Sequence, residues 1–579
     1  MSSSLKRDPE ESLADRRKRL RAHFQSTRAA WADLPPDALR LVVKHAADLA
    51  ESSVPVVPAI ASVCRAWRDA TLSHPSELWR RADFSGDFDP SDAVIARYCR
   101  DGHWQQLEHL DLRDCPRVSD KALRALVGGR ESRGAPALVS LCVSDVRASV
   151  EKKKKKTPTR GVSVDALVRV LDHFSTSLAE IEIDRMCDLT GAERERLCRA
   201  LFANERRVAV AARDAPRAFA NVAAFLPPGG LPALTKLDLT NAGASTGGAA
   251  LPWVDLAVRC PAMRELRLNG LGGAQGWEPR PRVGAANDPF RETRGARNRG
   301  SSRSDPREGL PGFPRLEVLE LGAARVTTSA GYDVGQSGVG FGLLFRLAHA
   351  SRNLRELDVT GARDALRLEC LKDSETLCGF TAEHLVGTVF CARGESPLRV
   401  LRCSKTGWAG GRSATHGGDR GAAAFRAFFF ADVDERAESP ENARLKPRFP
   451  RLRVLELGSR GAHAPGVGDE ALCVAVAALS LTDTLEELAI AGSAVTDAGV
   501  VCALARLPRV ASLDASHCRG LSRGARRAAA EGNLRLVRRD SARVADATAV
   551  AALDAEVRDL RRLAAGGDGD ENGRRANDA

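Results

Sequence analysis

The chain of 579 residues is too long for one ordinary hydrophobic core, and 43% hydrophobic with 28% charged residues is the balance of a water-soluble protein. Aromatics at 5%, with only 2 Tyr, argue against a large globular enzyme and suit a repeat array whose thin core is filled by Leu, Val and Ala. The formal net charge of +12 is partly segmental, in Arg16 to Arg21 and Lys152 to Lys156. These runs lack an apolar period, so solvated stretches are expected and a nucleic-acid or membrane partner is not.

Residues 1–30 are expected to form a basic disordered arm. Then comes Leu34-Pro35-Pro36-Asp37-x-Leu39-x-Leu41-Val42-Val43, in which Asp33 can cap a helix, the prolines fit its first turn, and Leu39, Val42, Val43 and Ala46 share one face. After a Val/Pro linker at Val54 to Pro58 come Val63-Cys64-Arg65-Ala66-Trp67-Arg68 and Leu78-Trp79. A small all-helical module over 32–84 is expected.

From 104 to 545 the frame Leu-x-x-Leu-x-Leu recurs. It begins at Leu107, Leu234, Met263, Leu316, Leu354, Leu452 and Leu485, with weaker copies from Leu138, Leu178, Leu398 and Val510. Starts at 234 and 263 or at 485 and 510 are one leucine-rich repeat apart, roughly 20–29 residues. The Leu-x-Leu step predicts a short strand of a parallel sheet that no single repeat could bury alone. Each strand is followed by a capped helical pattern: Val118-Ser119-Asp120 precedes Ala122, Leu123 and Leu126, and Val495-Thr496-Asp497 precedes Val500 and Leu504. The fold class is therefore α/β, a leucine-rich-repeat solenoid with strands on the concave face and helices outside.

Gly-rich stretches at 272–312 and 406–421 are expected to be flexible insertions. Val550, Leu553, Val557 and Leu560 line one face of a C-terminal capping helix over 546–565, ahead of a disordered tail at 566–579.

Nothing points to catalysis. The 14 Cys lack C-x-x-C pairs, the 11 His form no ligand-spaced pair, and no phosphate-cradling Gly-Lys-Ser/Thr occurs, so no metal site, cofactor or catalytic residue is expected. The Gly-x-Ser-x-Gly at Gly243 to Gly247 reads as a loop, because no α/β-hydrolase pattern surrounds it. Many Cys fall in apolar repeat segments, and no secretory or membrane-spanning stretch is evident, so a cytoplasmic or nuclear location is expected.

The repeats resemble the cysteine-containing subclass of leucine-rich repeats, with Cys115 and Cys518 at the Cys position and Ala242, Ala324, Ala362, Thr406 or Ser493 in other copies. The 32–84 module resembles an F-box, from its Leu-Pro, Val-Cys-Arg-x-Trp and Leu-Trp strings in that order. It differs in the longer, Pro-rich stretch from Ala50 to Pro58. The resemblance implies a non-catalytic substrate-recognition subunit of an SCF-type ubiquitin ligase, joined through a Skp-type adaptor to a cullin and RING partner. It implies an adaptor face of Leu34, Pro35, Leu39, Val43, Val63 and Trp67. The other reading is a ubiquitin-independent repeat scaffold or GTPase-activating protein.

For the substrate, alternation along each strand predicts a concave column containing Asp111, Cys142, Glu182, Asp238, Arg267, Glu320, Asp358, Arg402, Glu456, Ala489 and Asp514. Its acids predict a protein substrate with a Lys- or Arg-rich segment.

Overall fold

The computed structural model describes residues 34–49, 53–54, 56–73, 78–85, 90–128, 138–148, 161–187, 189–213, 225–241, 253–269, 313–322, 325–327, 333–335, 351, 353–360, 396–404, 425–426, 428–432, 445–458 and 467–565. The N-terminal arm, the lysine run, Gly243 to Gly247, the insertions at 272–312 and 406–421 and the tail at 566–579 lie outside the described residues. The chain divides into two compact units, Met1–Leu189 and Thr190–Ala579.

The first unit opens with three helices, α1 (Pro36–Leu49), α2 (Val56–Ala61) and α3 (Arg65–Ser73), each packed on the other two. Leu39, Val43 and Ala47 of α1, Val57 of α2, and Trp67 and Ala70 of α3 are buried. Four strands then pair in parallel: β1 (Arg81–Asp83), β2 (His109–Leu112), β3 (Ser140–Arg147) and β5 (Glu180–Cys187), with the short β4 (Val162–Ser163) on the far end of β3. Three helices alternate with them, α4 (Asp92–Arg100), α5 (Asp120–Val127) and α6 (Val164–His173).

β1 falls inside the stretch expected to be all helical. Ala82 pairs with Leu110, which puts Trp79, Ala82 and Phe84, all buried, on the three leucine positions of the frame. Repeat stacking therefore begins at Trp79 instead of 104. Two aromatics and an alanine replace the leucines, and the short β1 is followed by a hydrophobic cluster in which Trp79 meets Tyr98 at 4.9 Å and Tyr98 stacks on Trp104 at 5.5 Å.

In the second unit, parallel strands pair in chain order: β6 (Ala209–Ala212), β7 (Lys236–Asp238), β8 (Glu265–Arg267), β9 (Val318–Glu320), β12 (Glu356–Asp358), β13 (Val400–Arg402), β16 (Val454–Glu456), β17 (Glu487–Ala489) and β18 (Ser512–Asp514). Each central frame residue pairs with its counterpart, from Val210 with Leu237 to Leu488 with Leu513, and the central residues are buried throughout. Among the described helices are α7 (Gly191–Phe202), α8 (Trp253–Arg259), α9 (Asp469–Ser480), α10 (Asp497–Arg506), α11 (Arg523–Ala530), α12 (Leu534–Val544) and α13 (Ala547–Ala565). Two antiparallel pairs stand off the parallel path, β10 (Arg325–Thr327) with β11 (Asp333–Gly335) and β14 (Phe430–Asp432) with β15 (Leu445–Pro447). Phe425, Phe428, Phe429 and Phe449 gather beside the second pair, with ring centroids 5.0–5.7 Å apart. α13 packs on α9 and α10 through the buried Leu553, Val557 and Leu560, with Val550 half-buried.

Two hydrogen-bond devices hold repeats in step. Ser119, Ser163, Thr496 and Ser522 each cap their own helix by accepting a backbone N–H through the hydroxyl. That hydroxyl donates in turn to a carboxylate at the start of the preceding helix: Ser119 to Asp92 at 2.6 Å, Ser163 to Asp120 at 2.8 Å, Thr496 to Asp469 at 2.6 Å and Ser522 to Asp497 at 3.2 Å. The Ser/Thr-Asp dipeptide is thus a relay, cap for one repeat and acceptor for the next. Cysteine has a matching role. The Cys115 thiol donates to the Phe84 carbonyl at 3.3 Å and the Cys518 thiol to the Ile490 carbonyl at 3.1 Å, each reaching the residue that follows the preceding strand.

Candidate functional site

α1 carries apolar residues on two faces. Leu39 and Val43 point into the three-helix packing, whereas Leu41 and Leu49 are 61% and 73% exposed. Eight residues apart, these two leucines lie on the same side of the helix as Ala38. Of the residues expected to touch or shape the adaptor interface, Leu39, Val43 and Trp67 are therefore interior, buried in a module whose three helices all pack on one another. Leu34 and Val63 are half-buried and Pro35 is exposed. The outward Leu41 and Leu49 were not singled out from sequence; their signal was a second apolar stripe out of phase with the first.

The second candidate is the strand column, and pairing brings its expected members into register. In the first unit Asp111 pairs with Cys142 and Cys142 with Glu182. In the second, Asp238, Arg267, Glu320, Asp358, Arg402, Glu456, Ala489 and Asp514 pair each with the next.

The column is not a row of free acids. Its aspartates close turns: Asp111 accepts the N–H of Arg113, Asp238 that of Thr240, Asp358 that of Thr360 and Asp514 that of Ser516, at 2.8–3.0 Å. Such Asx turns favour Asp for local reasons that need no ligand. Asp238 is buried, at 2% side-chain exposure, and its other oxygen takes Arg213 Nε at 2.7 Å. It does not project from the face as expected, because the Arg213 guanidinium and the Thr240 hydroxyl cover it.

The glutamates meet arginines instead. Arg113 lies 3.6 Å from Glu182, Arg267 lies 3.3 Å from Glu320, and Arg402 Nε donates to Glu456 at 3.0 Å. Glu320 also accepts from Asn269 Nδ2 at 2.6 Å. Burial raises the Glu320 carboxyl above its ordinary range, with Arg267 opposing and Asp358 and Asp238 adding. Burial, then the fields of Asp111 and Glu182, push the Cys142 thiol far up. Arg267 and Arg402 stand among the acids of the column, so part of its negative charge is paired within the chain.

Among the described residues no His/Cys/Asp/Glu group could hold a metal ion, and the eleven described cysteines of the chain's 14 are free thiols. No described helix is long and apolar enough to cross a membrane. A small cavity of about 90 Å³ lies between Cys115, Val143, Asp145 and Val162 in the first unit.

No family model matches the sequence, and no curated protein matches it. Among solved structures, the chain is similar to the one described as the crystal structure of the Rad7 and Elc1 complex in yeast. The TM-score is 0.34 at 12% identity, over 89% of this chain and 95% of that chain.

Proposed function

We propose that this chain is the substrate-recognition subunit of an SCF-type ubiquitin ligase, acting in the cytoplasm or nucleus and carrying no catalytic residues of its own. The helices α1–α3 serve as the F-box module that docks on a Skp-type adaptor, and through it on cullin and RING components. The strand face of the repeats holds the protein to be ubiquitinated, with the acids of its central column that are not tied up by arginines facing a basic segment of the substrate.

One observation carries the reading: α1 fills one apolar face with its own module and leaves Leu41 and Leu49 in solvent. A helix that only capped a repeat stack would need a single apolar face. Outward leucines behind a Leu-Pro start give a partner helix apolar surface to cover, worth about 1.5–3 kcal/mol for each side chain fully buried.

The test is affinity capture of a Skp-type adaptor by the full chain, with proteasome activity blocked so that substrate is retained. Capture that is lost on changing Leu41 and Leu49 together to Asp supports the reading. Failure of the unaltered chain to bind any Skp-type adaptor refutes it, and a ubiquitin-independent scaffold or GTPase-activating role then takes its place.

A further inference from the structure

The arginines at the C-terminal end behave unlike those of the strand column. Residues 519–546 contain eight arginines, at 519, 523, 526, 527, 535, 538, 539 and 543, against the three acids Glu531, Asp540 and Asp546. All eight are exposed. Arg527 pairs with Glu531 at 2.9 Å and Arg539 with Asp540 at 3.1 Å. Arg519, Arg523, Arg526, Arg535, Arg538 and Arg543 have no carboxylate partner among the described residues.

Their placement is regular. On α11 the buried residues are Ala525, Ala528 and Ala529, and the opposite side carries Arg523, Arg526 and Arg527. On α12 the buried residues are Val537 and Ser541, and the opposite side carries Arg535, Arg538, Arg539 and Arg543. The two helices pack together, with Gly524 against the carboxylate of Asp540, so the first turn of α11 stands beside the middle of α12.

Fold stability does not ask for this arrangement. Helices with defined caps elsewhere carry an acid in the first turn, as Asp92, Asp120, Asp165, Glu193, Asp469 and Asp497 do. α11 and α12 have none and place Arg523 and Arg535 there, where the helix dipole disfavours a cation. Position 523 is also where the inter-repeat relay would have its aspartate.

We propose that the arginine faces of α11 and α12 bind the phosphate backbone of duplex DNA without reading its sequence. The guanidinium fork suits phosphate oxygens, and the shared positive potential of six unpaired arginines gives the affinity. The occupant follows from what the surface lacks. Residues 467–565 contain no Phe, Trp or Tyr, so unpaired bases would find no aromatic ring to stack on and a single strand is less favoured than a duplex. The outward positions of α11 and α12 hold no Ser, Thr, Asn or Gln to accept from a ribose 2′-hydroxyl, so RNA offers this surface little to recognise beyond its phosphates.

The test is fluorescence anisotropy of the full chain with a labelled DNA duplex of about 20 base pairs, from about 50 to 200 mM salt. Binding should weaken steeply with salt. Replacing the six unpaired arginines by Gln should weaken it by more than about tenfold and flatten the log–log salt slope by about 0.9 for each phosphate no longer neutralised. Lys at the same six positions should keep the salt dependence, and circular dichroism should show both variants folded. Undiminished binding by the Gln variant would assign the affinity to other basic segments and overturn the proposal. So would equal or tighter binding of single-stranded DNA, duplex RNA or polyglutamate, or no binding of duplex DNA by the unaltered chain.

Discussion

The carboxylate of Asp469 accepts both the N–H and the hydroxyl of Thr496, at 2.8 and 2.6 Å, one repeat further along the chain. Thr496 in turn caps α10 by accepting from the N–H of Ala498 at 3.2 Å. Gly499 makes the approach possible, since a Cβ there would clash with Asp469 Oδ1. Asp469→Ala should therefore destabilise the C-terminal repeats by about 1–2 kcal/mol, the usual worth of a cap partner. Hydrogen exchange at the amides of Thr496 and Ala498 should quicken most. Gly499→Ala should cost less on the Asp469→Ala background than on the unaltered one, because the clash is with that carboxylate. Additive effects would mean the two residues are not coupled.

Glu556 of α13 has its carboxyl raised above the ordinary range, first by burial and then by the charge of Glu470 on α9. A carboxyl raised in the folded state binds its proton more tightly there than in the unfolded chain. Its contribution is favourable below the unfolded value and is lost as pH rises through the folded one. Glu556→Gln should therefore raise the melting temperature at pH 7 and leave it unchanged near pH 4. A gain of equal size at both pH values would point to packing instead of charge.

Burial pushes the thiols of Cys99 and Cys198 up to about 12 and that of Cys260 to about 11, so all three stay protonated in ordinary buffers. Cys187 is exposed. Alkylation of the native chain at pH 8, read by peptide mass spectrometry, should label Cys187 and spare the other three until denaturant is added. Early labelling of Cys198 would show that the α7 region opens on the timescale of the reaction.

The strands were legible wherever leucine carried the frame, because a buried Leu-x-Leu step has few other physical uses. β6 was not, and Arg207 is the reason. It stands where the register with β7 calls for the first leucine, is fully buried, and donates from Nε to the Leu201 carbonyl at 3.1 Å. Burial lowers its pKa to about 10. A scan for apolar residues has no means of seeing a cation in that place. The strand column was legible in its register but not in its charge balance. Alternation fixes which residues share a face, whereas the pairing of Arg267 with Glu320 depends on which repeats become neighbours across a long stretch of sequence.

The two faces of α1 separate stability from binding. Leu39 and Val43 are buried, so Leu39→Ala should cost about 2–5 kcal/mol of module stability, the range for a core leucine. Leu41→Asp exchanges one solvent-exposed group for another and should leave the melting temperature nearly unchanged while abolishing adaptor capture. A Leu41→Asp variant that is as destabilised as Leu39→Ala would show that the outward face is packed in the native chain.

The sharpest contrast within the strand column is between Asp238 and Asp358. Both accept the N–H of the residue two places on, from Thr240 at 3.0 Å and from Thr360 at 2.8 Å, so each supplies one turn-closing bond. Only Asp238 is buried, and only it holds an arginine against its second oxygen, Arg213 at 2.7 Å. Asp358→Ala should thus cost about 1 kcal/mol, the worth of the hydrogen bond alone. Asp238→Ala removes the buried ion pair with Arg213 as well as the turn-closing bond and should cost more than Asp358→Ala, with part of the difference recovered when Arg213 is changed to Met in the same chain. If the column is mainly structural at this end, substrate capture should follow the stability of each variant and not its charge. A variant at Asp358 that keeps full stability and loses capture would place that residue in the binding surface instead.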